Sequence, residues 1–193
     1  MMTGTAAAAA STPIDPESFR VGMRRLAAAV SLITTTLPDG SRRGLTATAV
    51  CSVSMHPPTL LCCINRSNSS YEAILASGIF AVNVLSHDDR LLADTFARPV
   101  PPAEKFSLGL WRRIATGAPV LESAVASFDC RVSQDVSIGT HGILFGEIHA
   151  VTVRDAAAKP LIYAQGAYGA FTFTGEGGDP EGLWMPTWDY EPI

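Results

Sequence analysis

Six consecutive residues, Asn65-Arg66-Ser67-Asn68-Ser69-Ser70, gather hydroxyls, amides and one guanidinium between a strand-like segment and a helix start. Free N–H groups at a helix N-terminus, hydroxyl donors and a nearby positive charge together favour a phosphate or another anion. Ordinary helix capping would use the same residue types, although it needs only one serine. Earlier in the chain, Thr46, Ala47, Thr48, Ala49 and Val50 form a run of small residues with strand character. Such a strand leaves room for a flat ring to lie against backbone, whose N–H and C=O groups can bond the polar edge of a heterocycle. A strand packed tightly on a helix would need small residues too.

Other chemistries lack their residues. No G-x-G-x-x-G follows a strand and no G-x-x-x-x-G-K-[ST] is present, so a dinucleotide must be held by something other than a Rossmann turn. There is no G-x-S-x-G nucleophile elbow and no H-E-x-x-H zinc helix. The histidines His56, His87, His141 and His149 are scattered, which argues against a metal site. Cys51, Cys62, Cys63 and Cys130 make no C-x-x-C pair, and Cys62 and Cys63 fall on opposite faces of a strand. They read as buried free thiols in a reducing compartment.

The elements that must position these residues follow from periodicity. Asp15 before Pro16 starts a helix, with Phe19, Met23, Leu26 and Val30 as its apolar stripe. Val30 to Thr36 is a β-branched strand, and Pro38-Asp39-Gly40 is a turn. Gly44 to Val53 reads as a second strand. After Pro57-Pro58, Thr59 to Ile64 is a third, apolar on both faces. Ser69-Ser70-Tyr71-Glu72 is a capping box whose helix ends near Gly78. Phe80 to Val84 is a strand, Ser86 caps a helix through Phe96, and Arg98 to Ala103 is a loop. Phe128 to Val132 alternates with one wet face, and Ile143 to Val153 and Leu161 to Phe173 add strands. Many strands, short helices and no β-α-β alternation predict a mostly β, antiparallel barrel with helical excursions. The predicted organisation is a tail over residues 1–14, one domain over 15–174 and an irregular tail over 175–193.

Composition sets the outer bounds. The chain has 193 residues, 47% of them apolar and only 17% charged. The usual charged share is about 25%, so some surface is expected to be covered by a partner such as a second copy. A net charge of −4 argues against a nucleic-acid binder. No apolar run reaches the length of a membrane span, and no signal-peptide core is seen, so the expected location is cytoplasmic.

The segments FRVGMRRLAAAVSLITTT (from Phe19), Gly44 to Ser70, SGIFAVNVL (from Ser77), Lys105-Phe106 before Trp111, Phe128-Asp129-Cys130, Gly139-Thr140-His141, Gly146-Glu147 and PLIYAQGAY (from Pro160) run in order along the chain. Together they resemble the flavin reductase family with an FMN-binding split barrel, the reductase component of two-component flavin-dependent monooxygenases. The resemblance implies a homodimer that binds FMN or FAD, oxidises NADH or NADPH and passes reduced flavin to a separate monooxygenase. It places the isoalloxazine along Gly44, Leu45, Thr46, Ala47, Thr48 and Ala49. Cys63, Ile64, Asn65, Ser67, Ser69 and Ser70 would hold the ribityl phosphate, and Thr95 and Phe96 would end a helix that touches the flavin. His141 matches a histidine near the nicotinamide and is the expected catalytic residue. Tyr163, Ala164, Gln165 and Gly166 match a loop that the nicotinamide cofactor meets. One departure stands out: the family often has an acidic residue before the histidine, and here it is Thr140.

Hydride transfer between two cofactors asks little of side chains, since both bring their own reactivity. The rival readings are a flavin carrier or sensor without turnover on the same barrel, and a pyridoxamine-phosphate-oxidase-like enzyme. The second would need basic residues for a substrate phosphate, and Tyr163 to Tyr168 supplies none.

Overall fold

The computed structural model describes residues 14–155 and 157–171. The expected C-terminal tail and nearly all of the N-terminal one lie outside them. Asp15 caps α1 (Pro16–Met23), accepting the Ser18 N–H at 2.8 Å, and Pro16 occupies the first turn. The helix stops at Met23, so its stripe does not reach Leu26 or Val30. None of its residues is buried, and Phe19 is 52% exposed.

Seven strands form the main sheet, in the order β3-β2-β6-β9-β10-β5-β4, with every neighbouring pair antiparallel. They are β2 (Ser31–Thr36), β3 (Arg42–Ala47), β4 (Val50–Met55), β5 (Pro58–Asn65), β6 (Ile79–Val84), β9 (Ala126–Ile138) and β10 (His141–Val153). The sheet curls. Leu45 near one edge shares a core with Leu60, Cys62 and Ile64 near the other, and Tyr71 and Ile74 of α2 (Ser69–Ser77) fill it. This is the mostly β, antiparallel architecture that the pattern predicts and the split barrel that the resemblance implies. Two smaller sheets flank it: β1 (Ala28–Ala29) with β11 (Leu161–Ala164) and β12 (Ala167–Ala170), and β7 (Trp111–Arg112) with β8 (Val120–Leu121).

Several expectations need correction. Gly44 to Val53 is not one strand; it breaks at Thr48 and Ala49. There the Val50 N–H turns back to the Thr48 carbonyl, and the Ala49 carbonyl takes the Cys63 N–H at 3.0 Å, so the chain crosses from one sheet edge to the other. Leu161 to Phe173 is also interrupted: Gln165, at φ 54°, and Gly166, at φ 82°, turn it into a hairpin. Arg98 to Ala103 is not all loop, because Pro102 opens the short α4 (Pro102–Lys105). A single 3₁₀ turn, His87–Asp89, precedes α3 (Arg90–Ala97), and Ser86 and Asp89 close a capping box around it. β5 is apolar on both faces but buried on one, with Leu60, Cys62 and Ile64 inside and Leu61 and Cys63 half-covered.

The thiols divide. Cys62 and Cys130 are buried, and burial pushes the Cys62 thiol up to about 12. Cys63 is half-buried on the opposite face. Cys51 is exposed on the edge strand β4, against the expectation that all four would be buried.

A polar knot ties the sheet to its outer layer. Asn83 on β6 is fully buried. Its amide donates to the Leu32 carbonyl at 3.3 Å and to the Thr34 hydroxyl at 3.1 Å. Its oxygen accepts the Leu121 N–H and the Ser127 hydroxyl, both at 2.9 Å. Every polar atom is therefore paired, which is what makes a buried amide tolerable. Asn83→Ala should orphan the Leu121 N–H and the Ser127 hydroxyl and cost roughly 3 kcal/mol, read as a lower urea midpoint with an unchanged slope.

Candidate active site

The Asn65–Ser70 loop follows β5 directly. Asn65 Oδ1 accepts both the Ser67 N–H at 3.0 Å and the Ser67 hydroxyl at 2.9 Å. Asn68, not Ser69, is the N-cap of α2: its Oδ1 accepts the Ser70 N–H at 2.9 Å. An asparagine at this place caps as well as serine does, so the capping box read at Ser69 lies one residue too late. Ser67 and Ser69 are exposed and Ser70 is buried. The loop therefore presents the exposed hydroxyls of Ser69 and of Ser67, the latter donated to Asn65, and the first turn of a nine-residue helix.

His141 stands beside this loop. It pairs with Asn65 in the β5–β10 register, and the Arg66 N–H donates to the Thr140 carbonyl at 3.0 Å. The imidazole is exposed, and its Nδ1 lies 2.9 Å from the Thr140 hydroxyl. A hydroxyl thus does the orienting that a carboxylate would do. Ala49 joins the same group through its bond to Cys63. The structure so brings together Ala49, Cys63, Ile64, Asn65, Ser67, Ser69, Ser70 and His141.

The small-residue strand has a packing role as well. A Cβ at Gly44 would meet Phe96 Cε1 at 2.8 Å and the Ile33 carbonyl oxygen at 3.2 Å. The Thr46 hydroxyl donates to the Ala93 carbonyl of α3 at 2.7 Å. Leu45 points into the barrel core. Small residues at 44 and 46 are thus what a strand packed on a helix requires. Phe96 is 1% exposed, among Phe106 and Trp111 in a second core, and Thr95 bonds back to the Leu91 carbonyl. The unclaimed feature is the backbone. β3 is an edge strand, paired only with β2 in its sheet, and one of its carbonyls, that of Gly44, is taken by Lys105 Nζ at 3.3 Å. Lys105 also donates to the Phe96 carbonyl at 2.9 Å, and its burial lowers its pKa.

Tyr163, Ala164, Gln165 and Gly166 form a hairpin tip on a different sheet. The Gln165 N–H donates to the Arg24 carbonyl at 2.7 Å, and the Tyr163 ring meets Tyr168 edge-on at 5.4 Å. Arg90 lies over Tyr168. Sequence reasoning missed Asn68 as the cap, Lys105 as the clamp on Gly44, and the pair Tyr71–Asp135 discussed below. The motif Lys105-Phe106 was the one available signal among them.

The curled antiparallel sheet carries the Asn65–Ser70 loop and His141 at one end, with Ala49 beside them through its bond to Cys63. Residues 23–172 match the family described as flavin reductase like domain, and the chain belongs to it. It is similar to the FMN reductase (NADH) RutF of Variovorax paradoxus strain S110, 50% identical over 157 residues that cover 81% of this chain and 86% of the relative. Its fold is similar to the NADH:FAD oxidoreductase SgcE6 of Streptomyces globisporus C-1027, with TM-score 0.76, 27% identity and coverage of 86% and 99% of the two chains. It is also similar to BorF, the flavin reductase component of a bacterial two-component tryptophan halogenase, with TM-score 0.74, 29% identity and coverage of 83% and 100%.

The revised cap gives a direct test. Asn68→Ala should lose about 1 kcal/mol of stability in chemical denaturation, while Ser69→Ala stays within about 0.5 kcal/mol.

Proposed function

We propose that this chain oxidises NADH, reduces FMN at the site built from Ala49, the Asn65–Ser70 loop and His141, and releases the reduced flavin to a separate monooxygenase. The observation that carries the reading is the Asn65–His141 pairing, which sets an anion loop and an exposed imidazole side by side. The open backbone edge of β3 from Gly44 to Ala47 suits the polar edge of an isoalloxazine. Ser69 at the start of α2, and the Ser67 hydroxyl once it turns from Asn65, suit the flavin phosphate, and Arg66 adds charge. His141 holds the carboxamide side of the nicotinamide, with Thr140 setting its ring. Tyr163 to Gly166 meet the rest of that cofactor.

Bound together, the nicotinamide supplies a hydride and the flavin accepts it, with one proton taken from water. The chain's own share is to hold two rings in near contact and to aim donors where negative charge grows. FAD shares the ring and phosphate and is the second substrate; NADPH is the second donor. We assign the catalytic unit to residues 15–174 and its place of work to the cytoplasm. Among the described residues no helix is long and apolar enough to cross a membrane.

The same reading includes a homodimer. Phe19, Met23 and Leu26 are each at least half exposed, as is Met55 on edge strand β4. Apolar side chains left open over a helix and a sheet edge suit an interface with a second copy. Light scattering at micromolar concentration should give about twice the 20.4 kDa chain mass; a monomer with full activity would remove the dimer.

Purified protein with NADH and added FMN should turn over without any aromatic substrate. A requirement for a phenol or another organic acceptor would overturn the reductase reading. Ser67→Ala should weaken FMN about tenfold, because a hydrogen bond to a charged group is lost, and leave riboflavin, which has no phosphate, nearly unchanged. Equal losses for both ligands would move the phosphate elsewhere. His141→Ala should slow hydride transfer or raise the NADH KM about tenfold with FMN affinity kept, measured by single-turnover mixing. Loss of FMN binding in a folded variant would instead put His141 on the flavin.

A further inference from the structure

Tyr71 lies in the first turn of α2, directly after the anion loop, yet its side chain reaches the other half of the site. It is 2% exposed. Its ring passes against Gly142, the residue after His141: a Cβ there would lie 2.2 Å from Tyr71 Cε2 and 2.6 Å from the phenol oxygen. Only glycine lets the ring through. The hydroxyl then donates to Asp135 Oδ2 at 2.8 Å. Asp135 sits on β9 opposite Leu144 of β10. One side chain therefore spans from the helix that opens the anion loop to the hairpin that carries His141.

Beyond Arg131 that hairpin has, among the described residues, no further strand on its β9 flank to steady it. β6 pairs with β9 only as far as Arg131, and the last bond on that side is from the Val132 N–H to the Gly78 carbonyl at 2.9 Å. From Ser133 to Ile138, β9 runs on with β10 as its one strand partner among the described residues. Ile138, Gly139, Thr140 and His141 are all exposed at its tip. β10 itself stays paired with β5 through His141 and Asn65, so the free edge here is β9's, and Asp135 lies on it. Burial, and after it the bond to Asp135, raise the phenol's pKa, so it stays a donor at neutral pH.

We propose that Tyr71 is a positioning residue for the reductase: its ring on Gly142 and its bond to Asp135 hold His141 at a fixed place relative to the anion loop. This rests on the reading of His141 as the nicotinamide-side residue. A shift of about 1 Å in a positioning group can cost roughly a hundredfold in rate, so a strut between the two halves has a kinetic consequence.

Tyr71→Phe keeps the ring and removes only the hydroxyl; Asp135→Ala removes the acceptor from an exposed position. In single-turnover mixing of FMN-loaded protein with NADH, each should slow hydride transfer or raise the NADH dependence about five- to tenfold, the range of one lost hydrogen bond. FMN affinity and the melting temperature should stay close to the parent's. Asp135→Asn, whose amide oxygen still accepts, should restore the parent rate. Because the strut acts through His141, the double variant Tyr71→Phe/His141→Ala should be no slower than His141→Ala alone. Parent-like kinetics in Tyr71→Phe, with His141→Ala slow, would overturn the strut and spare the reading of His141. Losses that multiply in the double variant would do the same. Parent-like kinetics in His141→Ala would remove both.

Discussion

The register between β5 and β10 is the constraint on which the site depends. Ile64 faces Gly142, Cys62 faces Leu144 and Leu60 faces Gly146. The two glycines sit where large rings must pass. A Cβ at Gly142 would strike Tyr71, and one at Gly146 would lie 2.4 Å from Phe80 Cζ. A slip of one residue would put Ile143 or Phe145 under those rings and turn every side chain of the strand to its other face. Core packing therefore dictates that Asn65 meets His141. The placement of the imidazole beside the anion loop follows from fitting Tyr71 and Phe80 inside the curl, with no separate interaction needed to recruit it.

The other half of the site obeys a similar economy. Gly44 admits Phe96, Thr46 bonds α3, and Leu45 fills the barrel. The side chains of this strand are already committed to holding the helix and sheet together. What β3 leaves uncommitted is part of its outer backbone edge, where N–H and C=O groups have fixed spacing. An edge strand usually carries an aggregation hazard. Here Lys105 covers part of it by bonding the Gly44 and Phe96 carbonyls, and the chain folds away at Ala49.

Much of this was legible from residue order. Alternation marked the two long strands, but the wet face expected over Phe128 to Val132 fails at Asp129, which is fully buried and takes the Ala115 and Thr116 N–H groups. Asp15-Pro16 and Gly78 marked helix ends, because Asp15 supplies a side-chain acceptor for the Ser18 N–H and Gly78 a left-handed dihedral. The breaks at Thr48-Ala49 and Gln165-Gly166 were harder. Neither contains proline, and the first is made by a long-range bond to Cys63 that local pattern does not carry. The cap moved from Ser69 to Asn68 because several good cappers stand in a row and only tertiary placement chooses among them. The site residues emerged from short motifs spread over the whole chain. Tyr71 and Asp135, 64 positions apart, had no motif to announce them.

The sparse side-chain chemistry of the site has a physical basis. When donor and acceptor both arrive as bound cofactors, the reacting atoms belong to neither the strand nor the loop. The protein's contribution is distance, orientation and fixed dipoles, and backbone supplies these as well as side chains do. Such a site tolerates changes that an acid–base site would not. A threonine hydroxyl can replace a carboxylate beside His141, since orienting a ring needs an acceptor or a donor at Nδ1 and not a charge. It follows that a site of this kind leans on glycines and strand registers more than on reactive side chains. At Gly142 the requirement is steric: any Cβ would strike the Tyr71 ring, which packs between α2 and β10.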